Sequence, residues 1–135
     1  MKDMMKNIRD AFVTNPRISD LTKITDTDDY RVRGYIYPET ADKSGPFITI
    51  RPLDPVSDAY FASNYEMAKQ FWYQIDVESG NPMVAKQLQS EIKEEMRKLG
   101  FRQTPGGLDE YFSETKHYVD ARRYVGNSKI YDTDY

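Results

Sequence analysis

The sequence predicts an α+β domain: a mostly antiparallel sheet of about five strands, with two helices packed on one face, in the order α-β-β-β-α-β-β. Three observations carry this expectation. Apolar and polar residues alternate in short runs joined by Pro/Gly-containing turns, the pattern of hairpins rather than of parallel crossovers. Two segments instead space their apolar residues three and four apart, which marks amphipathic helices. The length, 135 residues, suits one compact domain.

Residues 3–14 form the first predicted helix, with Met5, Ile8 and Phe12 on one stripe. Asn15-Pro16 ends it, because the residue before proline avoids the helical region. Residues 17–29 are polar, acidic and aperiodic, and predict a loop. YRVRGYIY (30–37) alternates and predicts a strand. PETADKSGP (38–46) is a turn, and FITIRPL (47–53) a second strand with Ile48 and Ile50 facing one way. The stretch from Asp54 to Tyr65 predicts a long loop, and such loops are often functional. It carries Tyr60, Phe61 and Tyr65, which have no local core: either they complete the core or they form contacts with other molecules.

Residues 66–79 predict the longest strand. Phe71, Tyr73, Ile75 and Val77 share one face; Gln70, Trp72, Gln74, Asp76 and Glu78 share the other. Trp72, as a large aromatic, is expected in the core. A helix follows over 82–99, with Asn81 as N-cap, Pro82 at the first helical position and Gly100 just past the end. Val84, Leu88, Ile92, Met96 and Leu99 form its apolar stripe, and Glu94 and Lys98 are spaced as an i,i+4 ion pair. Gln103–Gly107 predicts a loop. Strands at Glu110–Glu114 and His117–Val125, joined near Thr115-Lys116, complete the domain. The organisation is therefore a domain over 1–125 and a polar tail over 126–135, with Ile130, Tyr131 and Tyr135 as its apolar residues.

Lys and Arg number 19 and Asp and Glu 22, for a net charge of −3. That balance argues against a domain that coats duplex nucleic acid, which needs a basic excess. Leu, Ile, Val and Phe make up only 27 of the residues, while 11 Tyr and 6 Met supply further apolar surface. A lean core in a small domain favours stabilisation by assembly. Cysteine is absent, which excludes disulfides, thiolate zinc sites and thiol catalysis. The first residues, MKDMMKNIRDAF, lack the apolar run of a signal peptide, and no stretch has the length of a membrane span. The chain reads as soluble and intracellular when made.

The chemistry-bearing residues form no catalytic pattern, and no catalytic, cofactor or metal residue is assigned. One His without Cys cannot build a usual zinc site, and His117 opens a strand, where a hydrogen-bonded structural role is expected. Asp26, Asp28 and Asp29 suggest a calcium loop, but the sixth and twelfth positions counted from Asp26 are Arg31 and Tyr37, where Gly and Glu are needed. Asp76 with Glu114 and Lys116 could mimic a magnesium-dependent nuclease, although a helix separates the two strands and the Glu-x-Lys falls at a bend. Lys116, Arg122, Arg123 and Lys129 cluster with Tyr118 and Tyr124, yet Arg122 and Arg123 point to opposite faces of their strand and make no basic stripe. What remains is interaction surface: Tyr60, Phe61 and Tyr65 in the 54–65 segment, Arg122 or Arg123 for ion pairs across a joint, and Ile130 and Tyr131 in the tail.

Four stretches, YPETADKSGPFITIRPL (37–53), FWYQIDVES (71–79), EIKEEMRKLGF (91–101) and DEYFSETKHYVDARRYVGN (109–127), resemble the tail terminator or head–tail joining proteins of long-tailed phages and prophages of Gram-positive bacteria. The shared pattern is an N-terminal helix, a strand pair around a Pro-flanked turn, a Gln-x-Asp-Val strand running into a helix that ends near Gly-Phe, and two closing strands. The resemblance spans nearly the whole chain. It implies a non-enzymatic ring subunit, commonly a hexamer, that caps the tail tube and docks on the head connector. The implied partners are further copies of the chain, the tail tube protein and the head-connector protein, with no cofactor, no membrane and no specific nucleic acid. The implied location is the host cytoplasm during assembly and then the head–tail junction of the virion. Another connector-ring component, a small nuclease and a DNA-binding regulatory module are the alternatives.

Overall fold

The computed structural model describes residues 1–62 and 65–135, with the side chains of residues 60–66 outside the description. The described residues form a mixed architecture of three helices and a mostly antiparallel six-stranded sheet. Helix α1 (Met4–Thr14) is N-capped by Asp3, which accepts from the Met5 and Lys6 N–H groups, and it buries Met4, Ile8 and Phe12. Asn15 then acts on both sides. Its backbone N–H donates to the Phe12 carbonyl and closes α1. Its side-chain oxygen accepts from the N–H groups of Arg17 and Ile18 at 3.0 and 3.1 Å and opens α2 (Pro16–Thr22). The loop expected at 17–29 is thus helical through Thr22, because Asn-Pro both stops one helix and starts the next. The same pair, Asn81-Pro82, opens α3 (Pro82–Lys98), and Gly100 follows its end with φ +93°.

The strand expected at 30–37 shrinks to β1 (Val32–Gly34), which runs parallel to β2 (Phe47–Pro52). Arg31, 6% exposed, turns inward and ties three segments together. Its guanidinium donates to the carbonyls of Pro46, Leu21 and Lys23 at 2.8, 2.9 and 3.1 Å, and pairs with Asp42 at 3.3 Å. The chain leaves the strand at Tyr35, whose φ is +68°.

The segment expected as a loop from Asp54 is largely β3 (Ser57–Ala62), paired in antiparallel register with the start of β4 (Tyr65–Ser79). Farther along, β4 pairs with β2 on one edge and with β6 (His117–Asn127) on the other. β5 (Phe101–Phe112) pairs with β6, giving the order β1-β2-β4-β6-β5 with β3 on β4. The expected Gln103–Gly107 loop is a bulge within β5. Gly106 and Gly107 have φ of +104° and +120° there, and a Cβ on Gly107 would collide with the Ala121 carbonyl. β6 runs on to Asn127, past the expected end at Val125.

Phe71, Tyr73, Ile75 and Val77 of β4 join Ile48 and Ile50 of β2 in one core with all three helices, as the alternation predicts. α3 contributes Ala85, Leu88, Ile92 and Met96. It also contributes Gln89, which is fully buried: its amide nitrogen donates to the carbonyls of Ile75 and Asp120 at 3.0 and 2.7 Å, locking the helix across β4 and β6. The expected Glu94–Lys98 pair is replaced by Arg97–Glu94 and Lys98–Glu95, each three apart.

Asn15 also donates from its amide nitrogen to Glu91 and Glu95 of α3, at 3.3 and 3.4 Å. Asn15→Ala should therefore cost about 1–2 kcal/mol in a urea melt, more than Asn81→Ala, which loses a cap alone. Burial pushes the phenols of Tyr73 and Tyr124 up to about 12. Their unfolded values lie near 10, so the folded state holds these protons more tightly. The stability linked to them is complete below pH 10 and is lost as pH rises through 12. The Tyr124 hydroxyl is buried without a hydrogen-bond partner. Tyr124→Phe should thus melt at the same or a higher temperature at pH 7 and show a shallower alkaline decline.

Candidate assembly surface

β4 is longer than the sheet around it. Its pairing with β6 ends at Gln70↔Asn127 and its pairing with β2 at Tyr73↔Pro52, while β3 pairs with it from Gln70 back to Tyr65. The β3–β4 hairpin therefore extends beyond the ends of both neighbouring strands. Of the residues predicted for contact, Tyr60, Phe61 and Tyr65 lie on this hairpin, with Phe61 opposite Glu66 and Ala62 opposite Tyr65. Their side chains lie outside the described residues.

The two arginines fall on opposite faces of β6, as expected, and their partners differ. Arg122 lies on the face that carries Asp120 and the helices, and its guanidinium meets the Asp120 carboxylate at 3.0 Å. Lys86 of α3 reaches the same carboxylate at 2.7 Å and Asp109 at 2.5 Å. Asp120 is 3% exposed, so these cations offset the cost of burying its charge. Arg122, offered as a pairing group across a joint, has its carboxylate within its own chain.

Arg123 is exposed on the opposite face and donates to the Gln74 side-chain oxygen at 3.0 Å. Gln74 donates to Asp76 at 2.9 Å, and Asp76 meets Arg51 at 2.5 Å. This polar row crosses β6, β4 and β2. It also occupies Asp76, the carboxylate considered for a nuclease. Glu114 and Lys116 are exposed in the β5–β6 turn. Among the described residues no group of three or more His, Asp or Glu is arranged to hold a metal ion. His117 sits 3.2 Å from Glu78 and edge-on to Phe47, a structural role for the lone histidine. In the 26–29 loop, the Tyr30 N–H and then Arg33 and Arg9 hold the Asp29 carboxyl below its usual range. That carboxylate serves as an internal tie.

At the foot of the hairpin lies a groove of about 760 Å³, lined by Tyr35, Leu53, Val56, Trp72, Tyr73 and Tyr135 among others. Trp72, expected in the core, is half-buried in its wall. Tyr35, Leu53 and Val56 are exposed large apolar residues that sequence reasoning did not single out. Tyr35 and Leu53 lie in runs that read as strands and Val56 in one that reads as a loop, and only the fold brings the three together. In the tail, Ile130 and Tyr131 are 49% and 80% exposed. No helix among the described residues is long and apolar enough to cross a membrane.

The contrast between the arginines is testable. Arg122→Ala should lower stability by about 1–3 kcal/mol in chemical denaturation, because it strips a partner from a buried carboxylate. Arg123→Ala should stay within about 0.5 kcal/mol of the parent. Against protein-family models the chain has no match, and against curated proteins it has none either.

Proposed function

We propose that this chain is a non-enzymatic ring subunit of a long-tailed phage or prophage, a tail terminator or head–tail joining protein. The observation that carries the proposal is the overhanging β3–β4 hairpin, which places Tyr60, Phe61 and Tyr65 on an arm beyond the sheet. A cyclic ring joins unlike patches of neighbouring subunits, so each subunit needs a projecting element and a separate receiving surface. The hairpin supplies the first, and the groove at its foot, where Leu53, Val56 and Trp72 stand beside Lys2, Asp3 and Asp54, supplies a surface of the second kind. The resemblance of the 37–53, 71–79, 91–101 and 109–127 stretches to such proteins supports the same reading. So does the net charge of −3, since a lumen that passes DNA must not bind its phosphates tightly. The ring would be a hexamer, with the tail tube protein on one side and the head-connector protein on the other. It would assemble in the host cytoplasm and end at the head–tail junction. The alternative within the same class is another connector ring, which differs in the partner bound.

Light scattering after size exclusion, over a concentration series, tests the proposal. A mass several times 15.8 kDa, with ring-shaped particles in negative stain, is expected. Tyr60→Asp combined with Phe61→Asp should keep the parent melting temperature and shift the population to monomer. A protein that stays monomeric at every concentration and does not bind the ends of purified tail tubes would overturn the reading. Binding to a connector instead of tube ends would select the alternative ring.

A further inference from the structure

The crease between α3 and the start of β5 holds a cavity of about 590 Å³, separate from the hairpin and from the groove at its foot. Ser90, Lys93, Glu94 and Arg97 recur at three- and four-residue spacing and line it from one exposed flank of α3. Gln103 of β5 lies opposite Tyr124 of β6 in the sheet register, so both face the helix and line the cavity from below. Phe101, buried on the same face of β5, adds an aromatic wall. Arg102 also borders the cavity, but it alternates to the other face of β5.

Tyr124 is the member that packing alone does not explain. It is 1% exposed, and its hydroxyl has no hydrogen-bond partner among the described residues. Buried hydroxyls are nearly always bonded, and leaving one unbonded costs free energy. Phenylalanine would fill the same space without that cost. Burial also holds the phenol protonated up to about 12, so at neutral pH the hydroxyl is a donor. The groups around it donate as well: the Gln103 amide, the Ser90 hydroxyl and the Lys93 ammonium. Glu94 is the one carboxylate on the lining, and Arg97 occupies both of its oxygens, at 2.6 and 3.0 Å. Lys93 has no such partner among the described residues. The cavity thus presents one unpaired cation and several neutral donors beside an aromatic wall.

We propose that this crease binds a small organic carboxylate, with the acid group held by Lys93 and the Tyr124 hydroxyl and the apolar body against Phe101. A single unpaired cation matches a monoanion, whereas a phosphate dianion would carry charge that the lining does not answer. The cavity is within the size of small-molecule sites, roughly 300–1,000 Å³, and is too large for a bare inorganic ion to fill. The bound carboxylate supplies the acceptor that the Tyr124 hydroxyl lacks within the protein. The proposal does not rest on the assembly reading, since neither the hairpin nor its groove takes part.

Line broadening of the ligand in NMR, titrated on the intact protein, tests this. The probes are naphthoate, benzoate and octanoate, with naphthamide as the neutral control. Millimolar binding is expected for the carboxylates and none for naphthamide. Lys93→Gln and Tyr124→Phe should each weaken naphthoate binding about tenfold. Tyr124→Phe should do so while melting at or above the parent temperature, which separates lost binding from lost fold. Arg123→Ala, on the opposite face of the sheet, should leave binding unchanged. Naphthoate binding that both substitutions leave intact, or naphthamide binding as tight as that of naphthoate, would overturn the proposal. So would the failure of all the carboxylates to bind at millimolar concentration. Should Tyr124→Phe fail to fold, the exposed Lys93→Gln decides the matter by itself.

Discussion

β4 is the element to which most of the molecule is registered. Its 15 residues pair with β2 along one edge and β6 along the other, and then continue as one arm of the β3–β4 hairpin. Side chains alternate strictly along a strand, so this single register sets what each face carries. Phe71, Tyr73, Ile75 and Val77 go to the helices, and Trp72, Gln74 and Asp76 go to the opposite face. A slip of one residue would expose the first set and bury the second. Gln89 opposes such a slip from the helix side, because its amide bonds two specific carbonyls on adjacent strands.

The polar groups follow from that register. On the helix face Asp120 is buried, and Lys86 and Arg122 converge on it. On the opposite face Arg123, Gln74, Asp76 and Arg51 form a row across three strands. The first arrangement maintains the subunit, since an unpaired buried carboxylate is costly. The second lies on a face that the helices leave uncovered. The proposed assembly role draws instead on features beyond the regular sheet: the hairpin arm, the groove at its foot and the segment after Asn127. Among the described residues, Tyr35, Leu53 and Val56 at the groove and Ile130 and Tyr131 in the last segment are exposed.

Much of the framework was legible in the linear pattern. The α3 stripe, its Asn-Pro start and glycine end, and the core face of β4 all appear as expected, because each depends on neighbours within a few residues. The differences have specific causes. α2 was missed because Asn15-Pro16 reads equally well as a stop and as a start. β3 was missed because Ser57–Ala62 is too short and mixed to announce a strand until β4 lies beside it. The Pro-Gly-Gly stretch looked like a loop because glycines at positive φ serve loops and bulges alike. Of the residues proposed for contact, Ile130 and Tyr131 stand out in the sequence as apolar residues in a polar tail, whereas the partners of Arg122 and Arg123 could not be told apart without knowing which face held Asp120.

The sequence by itself determined the α+β class, the two longest elements and the side of β4 that enters the core. These are consequences of periodicity, and periodicity is local. Tertiary structure alone decided that β1 runs parallel to β2, that the hairpin overhangs its neighbours, and that Tyr35, Leu53, Val56 and Trp72 meet in one groove. It also placed Asp132 against Lys2 and Tyr135 against Phe71. Those outcomes depend on contacts between residues far apart in the chain. The free energy of such contacts comes from joint burial and pairing, which no short window of sequence contains.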